Sequence, residues 1–233
     1  QIDLLEAELA SAAAGEPRAV GVVGEAGSGK SRLCFEFAER CRDRGYRVFE
    51  ARVTAHGHAT PYQPIVELAR DFLGIKPGML ASEAQERVES VMSAYGVDDE
   101  TLALLLGFLG LVDPDQPTAQ TDPAMRKKRL VELVRLFVRS GPQLQPALIL
   151  LEDLHWIDAA SEEFIDVIAD AITGTKTMLL LNFRHGYSAP WMQRSHYRQI
   201  NLSSLADTES EGLLRLLLGS DSSLALVSRN IAH

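Results

Sequence analysis

One glycine-rich segment constrains this chain more than any other. It spans 24–31, reads Gly-Glu-Ala-Gly-Ser-Gly-Lys-Ser, follows an apolar run of strand length and precedes a helical pattern. Glycines in such a turn permit backbone angles that side chains forbid, so successive N–H groups can point at one anion. The next helix adds unpaired N–H donors and the positive end of its dipole. The segment therefore predicts a phosphate-binding loop of the G-x-x-x-x-G-K-[ST] type.

The last two residues of this loop indicate which ligand it takes. Lys30 supplies a positive charge for the terminal phosphates of a nucleotide, and Ser31 supplies a hydroxyl for Mg²⁺. We therefore expect ATP or ADP, with Mg²⁺, as cofactors. The predicted nucleotide-binding residues are Gly24, Glu25, Ala26, Gly27, Ser28, Gly29, Lys30, Ser31 and Arg32.

Two carboxylates end a second apolar run. Glu152 ends the run 147–152 and Asp153 follows it, and a continuous apolar run is typical of a strand buried on both faces of a parallel sheet. Ligands bind at the carboxyl ends of such strands. We therefore expect one acid to hold Mg²⁺ together with Ser31, and the other to orient the attacking water. The alternative is that Asp153 is only a turn residue that caps the next element.

Arg184 directly follows a third apolar run, at 177–183, and we expect it to contact the γ-phosphate and so report which nucleotide is bound. Glu152, Asp153 and Arg184 are thus the predicted catalytic residues. The alternative for Arg184 is an exposed arginine at a strand end, since arginine is mostly exposed. The neighbouring His155 is expected to pack with Trp156 under the nucleotide site rather than to act in catalysis.

Apolar runs alternate with helical patterns along the chain, which predicts an α/β fold. We expect a P-loop NTPase domain over 1–205, with a five-stranded, mainly parallel sheet flanked by helices. A helical insertion over about 54–146 is expected between strands 2 and 3, and 199–205 is the candidate fifth strand. Residues 206–233 are expected to begin a truncated C-terminal helical region.

Two helix starts are predicted from capping residues. Ser82 and Gln85 have the spacing of a capping box at the start of a helix in the insertion. Asp158 is predicted to cap a helix that starts near residue 160.

Charge and cysteine content exclude some classes of protein. The net charge of −9 argues against a broad nucleic-acid surface, although one predicted helix, from Pro123 to about Arg139, is strongly basic at 126–129, 135 and 139. We interpret that helix as a solvated basic face, with docking of an acidic partner as the alternative.

Cys34 and Cys41 lie about 10 Å apart along one predicted helix, too far for a disulfide. No apolar run reaches membrane-spanning length, so a cytoplasmic protein without a membrane partner is expected.

Five segments of the chain, taken in order, resemble one known family. They span 24–31, 59–67, 152–158, 182–184 and 200–205. The family is that of the STAND-type P-loop ATPases. The likeness is greatest to the ATPase modules found beside bacterial class III adenylate or guanylate cyclase domains and in large transcriptional activators.

The resemblance implies a regulatory ATPase, in which ATP/ADP exchange and slow hydrolysis switch a multidomain protein between two states. Lys30 and Ser31 would bind phosphate and magnesium, and Arg184 would be the sensor. Glu152 and Asp153 would form the Walker B pair. The commoner order places Asp first, so the division of labour between these two acids stays open.

The resemblance also implies two segments that this sequence lacks. Family members usually carry a Gly-Arg-Glu-like segment before the first helix, which helps to hold adenine, and a Gly-Asn-Pro-like motif followed by a helical lid. We therefore expect the isolated chain to bind nucleotide weakly and to turn it over slowly. The expected partners are nucleotide and other domains of the same full-length chain, and a homo-oligomer is left open.

Three other classes share parts of this pattern. An AAA-type motor or loader acting on nucleic acid shares the loop, the acids and the sensor, but the net charge disfavours it. A small-molecule kinase would need an acceptor pocket and a mobile arginine-rich lid. A GTPase is disfavoured because the sequence has no Asn-Lys-x-Asp segment to read the base.

Overall fold

Five parallel strands form one sheet in the computed structural model, which describes residues 1–54, 61–112, 122–140 and 145–203. The strands are β1 Arg18–Val23, β2 Arg47–Arg52, β3 Ala147–Glu152, β4 Thr177–Phe183 and β5 Tyr197–Asn201. Their order is β2-β3-β4-β1-β5. Because every pairing is parallel, all five carboxyl ends meet at one edge. The predicted α/β fold with a five-stranded parallel sheet is confirmed.

Helices cover both faces of this sheet. One face packs against α1 (Ile2–Ala13) and α2 (Lys30–Asp43), and the other against α3 (Gln63–Leu73), α6 (Pro123–Ser140) and α7 (Ala159–Ala171). Side chains of β3 alternate accordingly, with Leu148 and Leu150 in the α1–α2 layer and Ile149 and Leu151 in the other. All four are at most 6% exposed, which explains why the run is apolar at every position.

The predicted insertion between β2 and β3 is helical. It comprises α3, α4 (Ala81–Ala94), α5 (Asp99–Phe108) and α6. These helices share an apolar cluster of their own, whose most buried members are Leu73, Val88, Met92, Leu105 and Leu109. The insertion is thus a packed helical layer attached to one face of the sheet through α3 and α6. None of the described helices is long and apolar enough to span a bilayer.

Two details of the secondary structure differ from the expectations. The capping box at Ser82 and Gln85 is wrong, because α4 begins after Leu80 and the Glu83 carboxylate accepts a hydrogen bond from the Leu80 N–H at 3.2 Å. The fifth strand begins two residues earlier than predicted and ends at Asn201. The helical region expected in 206–233 lies outside the described residues.

Candidate functional site

The glycine-rich loop connects β1 to α2, as its sequence predicts. Gly27 and Gly29 have positive φ angles of 79° and 86°, which residues with a side chain rarely adopt. Gly24 is constrained by space instead. A Cβ there would lie 2.6 Å from Ser28 Oγ and 2.9 Å from the Leu202 carbonyl oxygen. Each of the three glycines is therefore required by the local geometry.

Lys30 is the first residue of α2, and its side chain is held over the loop. Its Nζ donates to the carbonyl oxygens of Gly24 and Glu25, at 2.8 and 2.7 Å. Lys30 is only 6% exposed, and this burial is the main cause of the lowering of its pKa. Arg184 lowers that pKa further, while Asp153 and Glu25 oppose the shift. An ammonium has three N–H donors, so these two bonds leave one for a phosphate oxygen.

The two acids lie at the carboxyl end of β3 and are held by a buried amide. Asn182, on β4, donates from Nδ2 to Glu152 Oε2 at 3.0 Å and accepts from the Asp153 N–H at 2.9 Å. The same Nδ2 lies 3.6 Å from the Sγ of Cys34, on α2. Asn182 therefore connects both acids to the helix that follows the loop. Sequence reasoning did not assign Asn182 to the site, although it lies one residue before the end of the strand next to β3.

Asp153 has an unusual backbone and a cationic neighbour. Its φ of 60° and ψ of 38° lie in the left-handed region, which is uncommon for residues other than glycine. Arg52, the last residue of β2, donates from Nε to Asp153 Oδ2 at 3.1 Å. Sequence reasoning missed Arg52 because its proximity depends on β2 pairing with β3, which places Arg52 beside Glu152.

The third predicted catalytic residue, Arg184, immediately follows β4 and is exposed. Its guanidinium carbon lies 5.8 Å from the centroid of the Trp156 ring. The His155 ring packs against Trp156 with centroids 5.0 Å apart. Burial, followed by the charge of Arg184, lowers the pKa of His155 and so favours the neutral ring. This is the packing arrangement expected for the pair.

The predicted site residues therefore meet at one edge of the sheet. The loop that follows β1 leads to Lys30, while the two acids and Arg184 lie at the ends of β3 and β4, and these three strands are adjacent. Arg32 is different, because its side chain is exposed and pairs with Glu36 at 2.6 Å, one helical turn further on. Ser31 lies in the first turn of α2, and Glu25 and Ala26 are exposed in the loop.

The residues at this edge fit a nucleotide with Mg²⁺. The loop provides a backbone cradle that a Cβ at Gly24 would fill, and the Ser28 Oγ is buried with no hydrogen-bond partner in the described parts of the chain. Those parts contain no cluster of three or more His, Cys, Asp or Glu side chains able to hold a metal alone. Mg²⁺ typically takes one or two carboxylates together with water and substrate phosphates. Ser31, Glu152 and Asp153 match that need.

The parallel sheet, with a glycine-rich loop between β1 and α2, defines a P-loop NTPase fold. The chain belongs to the family described as "AAA ATPase domain", which it matches over residues 1–181. The protein R02095 of Rhizobium meliloti (strain 1021) is 24% identical over 201 residues, which are 84% of this chain. The chain spans 19% of that relative's length.

Solved structures of other proteins share this fold. Cdc6p from Pyrobaculum aerophilum superposes with a TM-score of 0.54 at 13% identity, over 92% of this chain and 47% of that one. Drosophila ORC bound to DNA gives 0.50 at 14% identity, over 99% and 51%. A chain of the E. coli MS115-1 HORMA:CdnC:Trip13 complex gives a TM-score of 0.50 at 12% identity, over 99% of this chain and 71% of that one. At these identities the likeness concerns the fold alone.

Proposed function

We propose that this chain is an ATP-binding and ATP-hydrolysing switch module of a larger regulatory protein. Membership of the AAA ATPase domain family supports nucleotide binding. The STAND-like segments support a regulatory role, with a cyclase or a transcriptional activator as the attached output. The observation that carries the proposal is the convergence of a buried lysine, two carboxylates and an arginine at adjacent strand ends.

Each of these residues has a distinct task in the proposed reaction. Lys30 and the loop N–H groups bind the β- and γ-phosphates, and bound Mg²⁺ would neutralise part of their charge. Ser31 and Glu152 provide oxygen ligands for that cation. Asp153 orients the attacking water. To do so, its carboxylate must replace the hydrogen bond from Arg52 by one from the water. Arg184 contacts the γ-phosphate and distinguishes ATP from ADP.

A motor or loader that acts on nucleic acid is the second candidate. It fits the family equally well, and Cdc6p and DNA-bound ORC share the fold. The net charge of −9 favours the switch, because nucleic-acid binding relies on a basic surface. A fluorescence anisotropy titration with duplex DNA separates the two. Salt-dependent binding by the intact protein would favour the motor, and its absence would favour the switch.

The test of the nucleotide site is the substitution Lys30→Ala. We expect it to weaken binding of a fluorescent ATP analogue with Mg²⁺ by at least about 100-fold, because the charge and its donors to phosphate are lost. The matched control is Lys176→Ala, an exposed lysine between α7 and β4. Circular dichroism should show that both variants keep the parental fold.

Equal binding of the ATP analogue by Lys30→Ala and its parent would overturn the assignment of the loop. A phosphate-release assay on the parent, with and without Mg²⁺, tests hydrolysis separately. Transfer of phosphate to a small acceptor rather than to water would indicate the kinase alternative instead.

A further inference from the structure

Arg184 leaves the sheet between the phosphate-binding loop and the two acids. β4 pairs with β1, and the Gly24 N–H donates to the carbonyl oxygen of Phe183, the residue before Arg184, at 3.4 Å. On the other side of β4, the Asp153 N–H donates to Asn182 at 2.9 Å. The backbone of Arg184 therefore starts beside the loop and the acids, and the orientation of its side chain decides whether it meets a bound phosphate.

The backbone of Arg184 is fixed by a tight turn. Within that turn the Tyr187 N–H donates to the Arg184 carbonyl at 3.4 Å, and Gly186 has a positive φ of 90°. The Tyr187 hydroxyl donates to the carboxylate of Glu162, on α7, at 2.8 Å. The position of the Arg184 backbone is thus set by contacts that do not involve the guanidinium.

The guanidinium of Arg184 has an aromatic neighbour. It forms no hydrogen bond or ion pair within the described residues, and its carbon lies over the Trp156 ring, 5.8 Å from the centroid. A cation within about 6 Å of a ring face is attracted by the ring, and tryptophan attracts it most strongly. The Trp156 ring therefore confines an exposed side chain that has no polar partner in those parts of the chain.

A guanidinium held over a ring can still bind phosphate. It is planar, its five N–H donors form a rigid fork, and arginine stacks readily on aromatic faces. The ring contact and a hydrogen bond to a phosphate oxygen are therefore compatible. Confinement before binding also reduces the entropy that the side chain loses when a ligand fixes it.

The Trp156 ring is itself held by the segment that carries the acids. Trp156 ends a 3-10 turn that starts at Leu154, directly after Asp153, and its N–H donates to the Asp153 carbonyl at 3.0 Å. The His155 ring packs beside it, and the indole is partly buried against the apolar core on that face of the sheet. The ring therefore offers Arg184 a support whose position depends on the backbone of Asp153.

We propose that Trp156 is a positioning residue, whose ring holds the Arg184 guanidinium in the orientation that meets a γ-phosphate. This inference rests on the proposed role of Arg184 in distinguishing ATP from ADP. Trp156 then contributes to the affinity for ATP, which has that phosphate, and not to the affinity for ADP. A tryptophan with a structural role alone would affect both nucleotides alike.

The test compares the dissociation constants of a non-hydrolysable ATP analogue and of ADP, each with Mg²⁺, by isothermal titration calorimetry on the complete chain. Trp156→Leu should weaken binding of the analogue by about two- to fivefold, the equivalent of one exposed cation–π contact, and leave ADP binding unchanged. Trp156→Phe keeps a ring and should restore most of the loss. Phe35→Leu, at an exposed aromatic residue of α2, is the matched control and should change neither affinity.

A double-mutant cycle identifies the residue through which Trp156 acts. Arg184→Ala should lower the ratio of the affinity for the analogue to that for ADP, and adding Trp156→Leu should then lower it no further. An unchanged ratio in Trp156→Leu, or the same effect of Trp156→Leu with and without Arg184, would overturn the inference alone. An unchanged ratio in Arg184→Ala would overturn both the proposed role of Arg184 and the inference.

Fluorescence gives a second readout that needs no substitution of Trp156. The sequence has two tryptophans, so Trp191→Phe leaves Trp156 as the only one. Binding of the analogue should change the Trp156 emission, because the phosphate compensates the charge that faces the ring, whereas ADP should not. The change should disappear when Arg184 is replaced by Ala. The same emission with the analogue and with ADP would overturn the inference.

Discussion

Asn182 shows how one buried amide can organise an acidic site. Its side chain uses both ends, as a donor to the Glu152 carboxylate and as an acceptor from the Asp153 backbone. Hydrogen bonds to charged groups are stronger than neutral ones, and an unpaired buried partner is costly. Asn182 therefore fixes the carboxylate of one acid and the backbone of the other before any ligand binds.

Replacing Asn182 by Ala should lower the free energy of unfolding by about 2 kcal/mol, because the Asp153 N–H and the Glu152 carboxylate lose their partner. Urea denaturation followed by circular dichroism measures this loss. Asn201→Ala, at an exposed position of β5, is the control and should change stability by less than about 0.5 kcal/mol. Similar losses in the two variants would show that the buried amide has no special role.

Sequence patterns identified some of these residues and missed others, for a physical reason. Lys30 and Gly24 were identifiable because their constraints arise from the loop's own backbone. Asn182 and Arg52 were not assigned, because their roles depend on which strands are neighbours. A single sequence gives the strands but not their order in the sheet.

At the scale of elements, the same reasoning worked best for buried strands. The bounds of β3 and β4 match the predicted apolar runs because both strands lie inside the sheet, covered by helices on both faces. The edge strand β5 is mostly exposed and polar, so its apolar pattern was weak and its predicted bounds were shifted. The start of α4 was misjudged because Glu83 and Gln85 are both suited to the third helical position, and the backbone places Glu83 there, with Leu80 rather than Ser82 as the cap.

The helix α7 begins just after the acids, and its cap is a testable element. Asp158 accepts a hydrogen bond from the Ser161 N–H at 2.9 Å, which confirms the predicted cap. Asp158→Ala should lower the free energy of unfolding by about 1 kcal/mol, whereas Asp158→Asn should restore most of it, since Asn also caps well. Urea denaturation of the three proteins tests this. Equal losses for Ala and Asn would indicate that charge, rather than capping, is what matters.

At the scale of the whole molecule, the titration of His155 is expected to make the free energy of unfolding depend on pH. Its pKa in the folded protein is lowered from 6.5, mainly by burial and then by Arg184. The unfolded chain therefore binds more protons than the folded one just below that pH, and linkage makes the free energy of unfolding rise with pH there. The contribution is complete above about pH 6.5 and is lost as the pH falls below it.

The variant His155→Phe removes this titration while keeping an aromatic ring. We expect its free energy of unfolding to fall less than that of the parent between pH 7.5 and pH 5.5, as measured by urea denaturation at both values. Identical losses in the two proteins would assign the pH dependence to other groups.

The contact between Leu202 and the loop links the carboxyl end of β5 to the phosphate-binding segment. The Leu202 N–H donates to the Val23 carbonyl at 2.7 Å, and its own carbonyl oxygen lies 2.9 Å from where a Cβ of Gly24 would be. Since β5 pairs with β1 along its whole length, Leu202, which directly follows β5, is held beside the start of the loop. Because Val23 directly precedes Gly24, we expect a displacement of the backbone at Leu202 to reach the start of the loop through this one hydrogen bond.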